Sequence, residues 1–304
     1  MASRSSTHTP RGLCPRFRIY PSPCGRVQVV GMNAADRVVV DVDGAVAHVR
    51  LNRPDKLNAL DRAMFTALVQ AGRELISNSA IRAVVLSGNG RAFCAGLDYE
   101  QFARMAGGAS HGSDVLVISD ERLGGARALG QQAVRVWSQV PVPVIAAVHG
   151  VALGGGLQIA LGADLRIVSP GAELSVMEVR WGLIPDMAGT QLLPELVGRD
   201  VAKLLTFTGR SVSGTAAAAM GLATEVADDP VTAALMLAHN IAAHDPAALT
   251  HAKALLDMAG RVSLELGLDA EQKAIAELIA SPALASTVKA RLSTRRATRK
   301  EQHK

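Results

Sequence analysis

The triplet Gly154–Gly156, followed closely by the amide side chain of Gln158, is the pattern in this chain that most suggests chemistry. Glycines lack a Cβ, so consecutive glycines let backbone N–H groups approach a ligand closely. The residues after the triplet are typical of a helix start, and the N-terminal end of a helix favours negative charge. Gln158 can orient water or substrate, but a carboxamide does not accept a proton at neutral pH, so it is not a general base. The alternative interpretation of the triplet is a tight turn that needs glycine for its backbone conformation and binds no ligand.

Other arrangements of reactive residues are less specific. His149 ends a predicted buried strand without an accompanying G-x-S-x-G motif, which favours a core histidine. Cys94 is the only cysteine beyond residue 31, and this excludes a disulfide framework in the body and fits a reducing compartment. The sequence contains no H-E-x-x-H and no paired C-x-x-C motif, so it predicts no metal site.

Alternating strands and helices must position these residues. The run 37–54 predicts a hairpin around Asp43-Gly44, and Asp61 predicts the cap of an amphipathic helix. Buried strands are predicted over residues 81–88, 142–150, 165–169 and 172–176. A loop is predicted over 105–114 and a helix over 127–139. This order of elements predicts an α/β fold with short crossovers.

Strand patterns nearly vanish after residue 199, apart from a short one at Ala223–Ala227. Helices are predicted over residues 199–207, 214–220, 231–243, 246–259, 263–280 and 283–292. We therefore divide the chain into a core over 32–230 and a helical C-terminal module with a basic tail over 231–304. Residues 1–31 show no apolar periodicity and are expected to be a disordered leader, or to precede a natural start at Met32.

The positive charge of the chain lies at its ends. Removing the +5 of residues 1–31 and the +6 of residues 289–304 from the net charge of +5 leaves −6 for residues 32–288. An acidic body argues against nucleic-acid binding. The most apolar run, 142–161, is interrupted by a histidine and four glycines, so no membrane span is predicted. We expect a cytoplasmic protein, or one in an organellar matrix if residues 1–31 are a transit peptide.

Several stretches taken together resemble the core motifs of the crotonase, or enoyl-CoA hydratase/isomerase, superfamily. In order and spacing these are "LNRPDKLNALD" (51–61), "GRAFCAGLD" (90–98), "VIAAVHGVALGGGLQIALGADLRI" (144–167), "EVRWGLIPDMAGTQLLPELVG" (178–198) and the following segment 205–226. The resemblance covers about residues 36–245 and implies a spiral of ββα units with a helical C-terminal region, assembled as a homotrimer or a dimer of trimers. It also implies an acyl-CoA substrate and no further cofactor.

The resemblance assigns roles to residues of this sequence by their motif positions. The thioester oxygen of an enolate would lie between the backbone N–H groups of Leu97 and Gly155. Family hydratases use two glutamates, whose positions here hold Gln158 and Glu178. Because Gln158 is no base, a single carboxylate, Glu178, could move the double bond of a 3-enoyl thioester without adding water. Asp186 matches a second carboxylate of the family's dienoyl-CoA isomerases, which also carry an acid where Gln158 stands.

The CoA contacts that the resemblance implies are less specific. Arg53 and Lys56 are expected to contact phosphates, and Ala95 and Asp98 to lie beside the adenine. Glu100 stands where some members have a basic residue.

Three functions stay open at this point. Double-bond isomerisation through Glu178 is slightly favoured. Hydration of a 2-enoyl-CoA is the first alternative, and a non-catalytic acyl-CoA binder or scaffold is the second.

Overall fold

The computed structural model describes residues 18–21, 27–30, 37–106, 118–286, 288–289 and 292 of the chain. Its strands are β1 (Arg18–Pro21), β2 (Val27–Val30), β3 (Val38–Asp43), β4 (Val46–Leu51), β5 (Ala83–Gly88), β6 (Ile118–Leu123), β7 (Ala126–Ala128), β8 (Val144–Val148), β9 (Val151–Leu153), β10 (Leu165–Val168), β11 (Glu173–Ser175), β12 (Val212–Ser213) and β13 (Glu225–Val226). The α-helices are α1 (Arg62–Ser77), α2 (Tyr99–Ala106), α3 (Leu129–Gln139), α4 (Gly155–Leu161), α5 (Gly189–Val197), α6 (Arg199–Thr208), α7 (Gly214–Ala219), α8 (Pro230–Ala242), α9 (Pro246–Met258) and α10 (Leu264–Ile279).

The large sheet has the strand order β1-β2-β3-β4-β5-β8-β10-β13. Strands β1 to β4 pair antiparallel, whereas β4, β5, β8, β10 and β13 run parallel. The turn between β3 and β4 uses Gly44 at a φ of +59°, in the left-handed region that favours glycine. Strand β9 follows β8 after two residues and forms a second sheet with β11 and β12. The chain therefore leaves the large sheet at the carboxyl end of β8 and continues through β9 to α4.

Each face of the large sheet is covered by different helices. The main hydrophobic core lies on one face and includes Phe65, Leu68 and Trp137 from α1 and α3. On the other face, α8 packs Ala234 and Ala238 against strand residues of β4, β5, β8 and β10. Strands buried on both sides are typical of parallel sheets, which explains the continuous apolar runs in the sequence.

The structure confirms the α/β class and most of the predicted elements. The hairpin, α1 with its Asp61 cap, and strands β5, β8, β10 and β11 lie where the sequence placed them. The Asp61 side chain accepts a hydrogen bond from the Met64 backbone N–H at 2.8 Å. The later helices agree to within a few residues, and the predicted helix over 283–292 falls partly outside the described residues, as does the predicted loop over 105–114.

Two features differ from the sequence interpretation. Strands β1 and β2 lie in the stretch expected to be a leader, where β2 pairs with β3 antiparallel. Backbone pairing at an open sheet edge needs no hydrophobic periodicity, so that signal was absent from the sequence. The remainder of 1–36 lies outside the described residues. In addition, part of the segment treated as irregular forms α2 and the β6-β7 hairpin.

The C-terminal helices attach to the core through a buried cation. Lys253 of α9 donates to Asp164 at 2.7 Å and to the carbonyl oxygens of Val142 and Trp137 at 3.1 and 3.4 Å. Helix α10 packs on α9. None of the helices in the described ranges has both the length and the apolar composition needed to cross a membrane.

Candidate active site

The three glycines of the triplet each face a different neighbour. A Cβ on Gly154, whose φ is +51°, would lie 3.3 Å from Oε1 of Glu178. A Cβ on Gly155 would meet Sδ of Met187 at 2.8 Å and Cδ1 of Leu60 at 2.9 Å, and one on Gly156 would meet the Cys94 carbonyl at 2.3 Å. A side chain at Gly155 would therefore have to displace the ends of the Met187 and Leu60 side chains, whereas one at Gly156 would meet backbone.

Gln158 is wholly buried in α4, and both of its polar atoms are engaged. Its Oε1 accepts the backbone N–H groups of Met187 and Gly189, each at 2.9 Å. Its Nε2 donates to Oε1 of Glu178 at 2.6 Å. The residue expected to orient water or substrate is thus bonded to the protein on both sides.

Glu178 begins a 3-10 helix over Glu178–Trp181 and is half-buried. Its Oε2 is buried and has no hydrogen-bond partner among the described residues. Burial raises the pKa of this carboxyl, and the charge of Asp186 adds to the rise, against the lowering effect of hydrogen bonds from its own N–H and from Gln158. Glu178 forms no ion pair with a cation in the described part of the chain. A carboxylate with a raised pKa and a free oxygen is suited to accept and return a proton.

Asp186 lies in the loop between the 3-10 helix and α5. Its side chain is exposed in the single chain, and desolvation by neighbouring atoms raises the pKa of its carboxyl. Its charge contributes to the raised pKa of Glu178, and the residue that follows it, Met187, donates its backbone N–H to Gln158 at 2.9 Å. The following Ala188 has a φ of +71°, an uncommon value for a residue with a Cβ, and Gln158 holds the N–H groups on both sides of it.

The backbones of Leu97 and Gly155 converge on the same region. Gly96 has a φ of +88°, and a Cβ there would lie 2.5 Å from the Leu153 carbonyl and 3.8 Å from the Gly155 nitrogen. The N–H of Leu60 donates to the Gly96 carbonyl, and the N–H of Asp98 donates to the Leu60 carbonyl. This bridge between Leu60 and Leu97 does not use the N–H of Leu97. The N–H of Gly155 opens α4, where the first N–H groups of a helix have no acceptor within it.

The residues predicted to contact CoA differ in their exposure and in their hydrogen bonds. Arg53 is mostly buried, and its Nη1 donates to Asp98 and, at 3.2 Å, to the Ala59 carbonyl, so this nitrogen binds protein, and a phosphate contact through the rest of the guanidinium stays a prediction. Lys56 is exposed at the end of a 3-10 helix over Pro54–Lys56. Ala95 is half-buried, and its N–H donates to the Leu57 carbonyl.

Sequence reasoning missed two groups of residues that shape the site. Asn58 is fully buried, with a φ of +57°, and its amide bonds the Arg53 N–H and the carbonyl oxygens of Asn89, Ala92 and Phe93. Asparagine tolerates the left-handed region better than most residues, a signal that could have identified it. Phe102 of α2 stacks on Trp181 with ring centroids 4.8 Å apart, a contact between distant segments that periodicity does not reveal.

The remaining reactive residues behave as packing groups. Cys94 is fully buried, burial raises the pKa of its thiol to about 12, and its Sγ donates to the Asn58 carbonyl at 3.1 Å. His149 bonds the Gly90 carbonyl through Nε2 at 2.9 Å. The described residues include no group of three His, Cys, Asp or Glu side chains that could hold a metal ion.

Comparison with known proteins decides the family. The model of the family described as enoyl-CoA hydratase/isomerase matches residues 41–301. The chain belongs to the enoyl-CoA hydratase/isomerase family. It is 34% identical over 235 residues to the peroxisomal Delta(3,5)-Delta(2,4)-dienoyl-CoA isomerase of Arabidopsis thaliana, covering 75% of this chain and 83% of that protein. It is also 32% identical over 245 residues to the short-chain-enoyl-CoA hydratase of Clostridium acetobutylicum, covering 80% of this chain and 89% of the relative.

Solved structures confirm the crotonase-like fold. The enoyl-CoA hydratase of Bacillus anthracis superposes with a TM-score of 0.76 at 30% identity, covering 85% of this chain and 96% of that one. A Thermobifida fusca member of the family, solved in complex with CoA, gives a TM-score of 0.69 at 31% identity, covering 83% and 95%. The protein is thus an enoyl-CoA hydratase/isomerase family enzyme that acts on CoA thioesters.

Proposed function

We propose that this family member isomerises the double bond of a 3-enoyl-CoA. The thioester oxygen accepts the N–H groups of Leu97 and Gly155, which stabilise the enolate. Glu178 removes a proton from C2 and returns it to C4, so the double bond moves to C2–C3 and no water is added. Asp186 keeps the surroundings of Glu178 negative and favours the protonated form that must return the proton.

The engagement of Gln158 carries this proposal. A hydratase of the two-glutamate type needs a second base that activates water, and here that position holds an amide bonded to Glu178, Met187 and Gly189. Glu178, by contrast, keeps a buried oxygen without a partner among the described residues. One proton carrier suffices for a 1,3-proton shift, whereas syn hydration needs two groups.

Hydration of a 2-enoyl-CoA is the second candidate, and Asp186 supports it. Its carboxyl lies close enough to Glu178 for their charges to interact, and its pKa is raised. A second carboxylate of this kind could activate water in place of the missing glutamate.

The experiment compares the wild type with the Glu178→Gln variant on a 3-enoyl-CoA and, separately, on a 2-enoyl-CoA. We expect the wild type to convert the 3-enoyl-CoA efficiently and to hydrate the 2-enoyl-CoA slowly. Glu178→Gln should lower kcat for isomerisation by about 10²–10⁴-fold. The exposed Glu225→Gln is a matched control that should retain wild-type kcat.

Faster hydration than isomerisation by the wild type would replace the first proposal with the second. Full retention of both activities in Glu178→Gln would contradict both proposals, and absence of both activities from the wild type would favour a non-catalytic acyl-CoA binder.

A further inference from the structure

We propose that Gln158 is a positioning residue that fixes Glu178 by Oε1 and leaves Oε2 as the oxygen that transfers the proton. This inference rests on the proposed isomerisation and adds to it a role for a residue that does not touch the substrate. It differs from the expectation that Gln158 orients water.

The orientation of the Gln158 amide is fixed by its partners. Two backbone N–H groups, those of Met187 and Gly189, point at one of its terminal atoms, and only the oxygen can accept them. The amide nitrogen must therefore face Glu178, and it donates to Oε1 at 2.6 Å. A flipped amide would place donors against donors on one side and leave two acceptors facing on the other.

The two oxygens of Glu178 become different as a result. Oε1 accepts the Gln158 hydrogen bond at 2.6 Å and faces Gly154, where an added Cβ would lie 3.3 Å from it. Oε2 is buried without a partner among the described residues. A buried acceptor without a partner is costly, and a substrate C–H that becomes acidic beside it gives that oxygen its function.

Gln158 also ties the carboxylate to the loop that carries Asp186. The N–H groups that it holds flank Ala188, whose φ of +71° needs surrounding contacts to persist. Helix α4, the 3-10 helix of Glu178 and the start of α5 therefore meet at one amide. Loss of that amide is expected to loosen both the proton carrier and its negative neighbour.

The first test is Gln158→Met, which keeps the length of the side chain and removes its hydrogen bonds. We expect kcat for isomerisation of a 3-enoyl-CoA to fall at least about tenfold, the order expected for loss of a charged hydrogen bond, with KM within about twofold of wild type. The acid limb of the kcat profile should move to higher pH, because the amide N–H no longer stabilises the Glu178 carboxylate. Asp186 is the ionisable neighbour whose charge acts on Glu178 among the described residues, whereas Arg180 lies against Gly209.

Gln158→Glu keeps an acceptor for the two backbone N–H groups and is therefore expected to fold, although its stability should fall as pH rises because a second carboxyl is buried beside Glu178. Its second oxygen would face Oε1 of Glu178 across the present 2.6 Å, a distance at which two carboxyls share a proton. The acid limb should move to higher pH again, without a gain in hydration of a 2-enoyl-CoA. A gain in hydration with an unmoved acid limb would show that Gln158 occupies a water-activating position, and would overturn the inference.

Gln132→Met is the matched control. Gln132 is also buried, and its Nε2 donates to the Glu121 and Ala126 carbonyls away from the site. This variant should lose thermal stability but keep the wild-type pH profile. If Gln158→Met folds and keeps the wild-type kcat and acid limb while Glu178→Gln is inactive, the positioning role is wrong and the proposed isomerisation stands. If Glu178→Gln remains active, the proposed isomerisation itself fails.

Discussion

Glu178 shows how a single buried carboxyl can be prepared for proton transfer. Burial and the nearby Asp186 raise its pKa, whereas the Gln158 amide limits that rise. A base whose pKa lies nearer the working pH returns its proton more readily than an ordinary carboxylate does. Burial of the charged Glu178 carboxylate also lowers the stability of the fold, so the environment that suits proton transfer destabilises the protein.

This opposition predicts a pH-dependent effect of Glu178→Gln on stability. The pKa of Glu178 is higher in the folded state than in the unfolded state. At pH values between these two pKa values the native protein binds more protons than the unfolded chain, so its stability falls as pH rises through that window. The variant lacks this loss. The melting temperature of Glu178→Gln minus that of wild type should therefore increase from about pH 4 upward, as measured by calorimetry.

Glu225→Gln controls for removing one negative charge from an exposed position. A constant difference between Glu178→Gln and wild type across this pH range would contradict the burial argument.

The sequence could place Glu178, Asp186 and Gln158 near one another because their motif positions carry that information, and the structure brings them together. It could not show which way the Gln158 amide points, since that depends on backbone N–H groups 29 and 31 residues later in the chain. The ion pair of Arg53 could not be predicted for the same reason. An arginine near a predicted ligand site looks free in the sequence when its partner, Asp98, lies 45 residues away.

At the scale of elements, the Arg53–Asp98 ion pair joins the segment before α1 to the segment before α2. Although burial acts to raise it, the pKa of Asp98 is lowered, because the Glu100 N–H and the Arg53 guanidinium donate to its carboxylate. The pair therefore stabilises the fold above the ordinary pKa of an aspartate, and that stabilisation is lost as pH falls through the folded value. Leu97 immediately precedes Asp98, so the ion pair also helps to hold in place the Leu97 N–H, one of the two proposed oxyanion donors.

Arg53→Met is predicted to destabilise the protein by about 3 kcal/mol at pH 7, because it leaves a mostly buried carboxylate without its cation. Chemical denaturation would measure the loss, which should shrink towards pH 3. We also expect a lower kcat for isomerisation, because the Leu97 N–H loses its support.

Arg91→Met changes an exposed arginine and should leave stability within about 0.5 kcal/mol of wild type. If Arg53→Met raised only the KM for CoA thioesters, without a loss of stability, Arg53 would be the phosphate contact that the motif position predicts.

Elements that follow hydrophobic periodicity could be predicted, and those held by pairing at edges could not. Helix α1 and strands β5 and β8 bury one or both faces, so their patterns are visible in the chain. The β6-β7 hairpin is largely exposed and its strands pair with irregular register, so no alternation of apolar and polar residues marks it in the sequence. Strand β2 is defined by the free edge of β3, a feature of the assembled sheet.

At the scale of the whole molecule, Lys253 connects the C-terminal helices to the core. Its side chain is buried, and its ammonium group is surrounded by Asp164 and two carbonyl oxygens. Lys253→Met is predicted to destabilise the protein by about 3 kcal/mol and to make the segment after α8 more sensitive to protease. Limited proteolysis followed by mass spectrometry would locate the cleavage.

Lys273→Met, at an exposed position of α10, is the matched control and should match wild type in both measurements. Cleavage distributed over the whole chain in Lys253→Met would contradict a local role for this lysine.

The exposed apolar side chains of the single chain predict self-association. Trp181 and Phe207, on the 3-10 helix and on α6, are 51% and 72% exposed, and Leu264 and Ile279 on α10 are 79% and 63% exposed. A large contiguous patch of exposed apolar groups marks an interaction surface. The trimeric assembly implied by the family resemblance would cover such groups, and light scattering should then give three or six times the chain mass of 31.7 kDa.

Phe207→Asp tests which of these surfaces associates. A charge in a buried interface is costly, so the variant should shift the mass towards 31.7 kDa while its circular dichroism stays that of the wild type. The same substitution at Leu264 examines α10 separately, since the two residues lie on different helices. A wild-type mass of 31.7 kDa at micromolar concentration would contradict the prediction, and the exposed side chains would then be surface of a monomer.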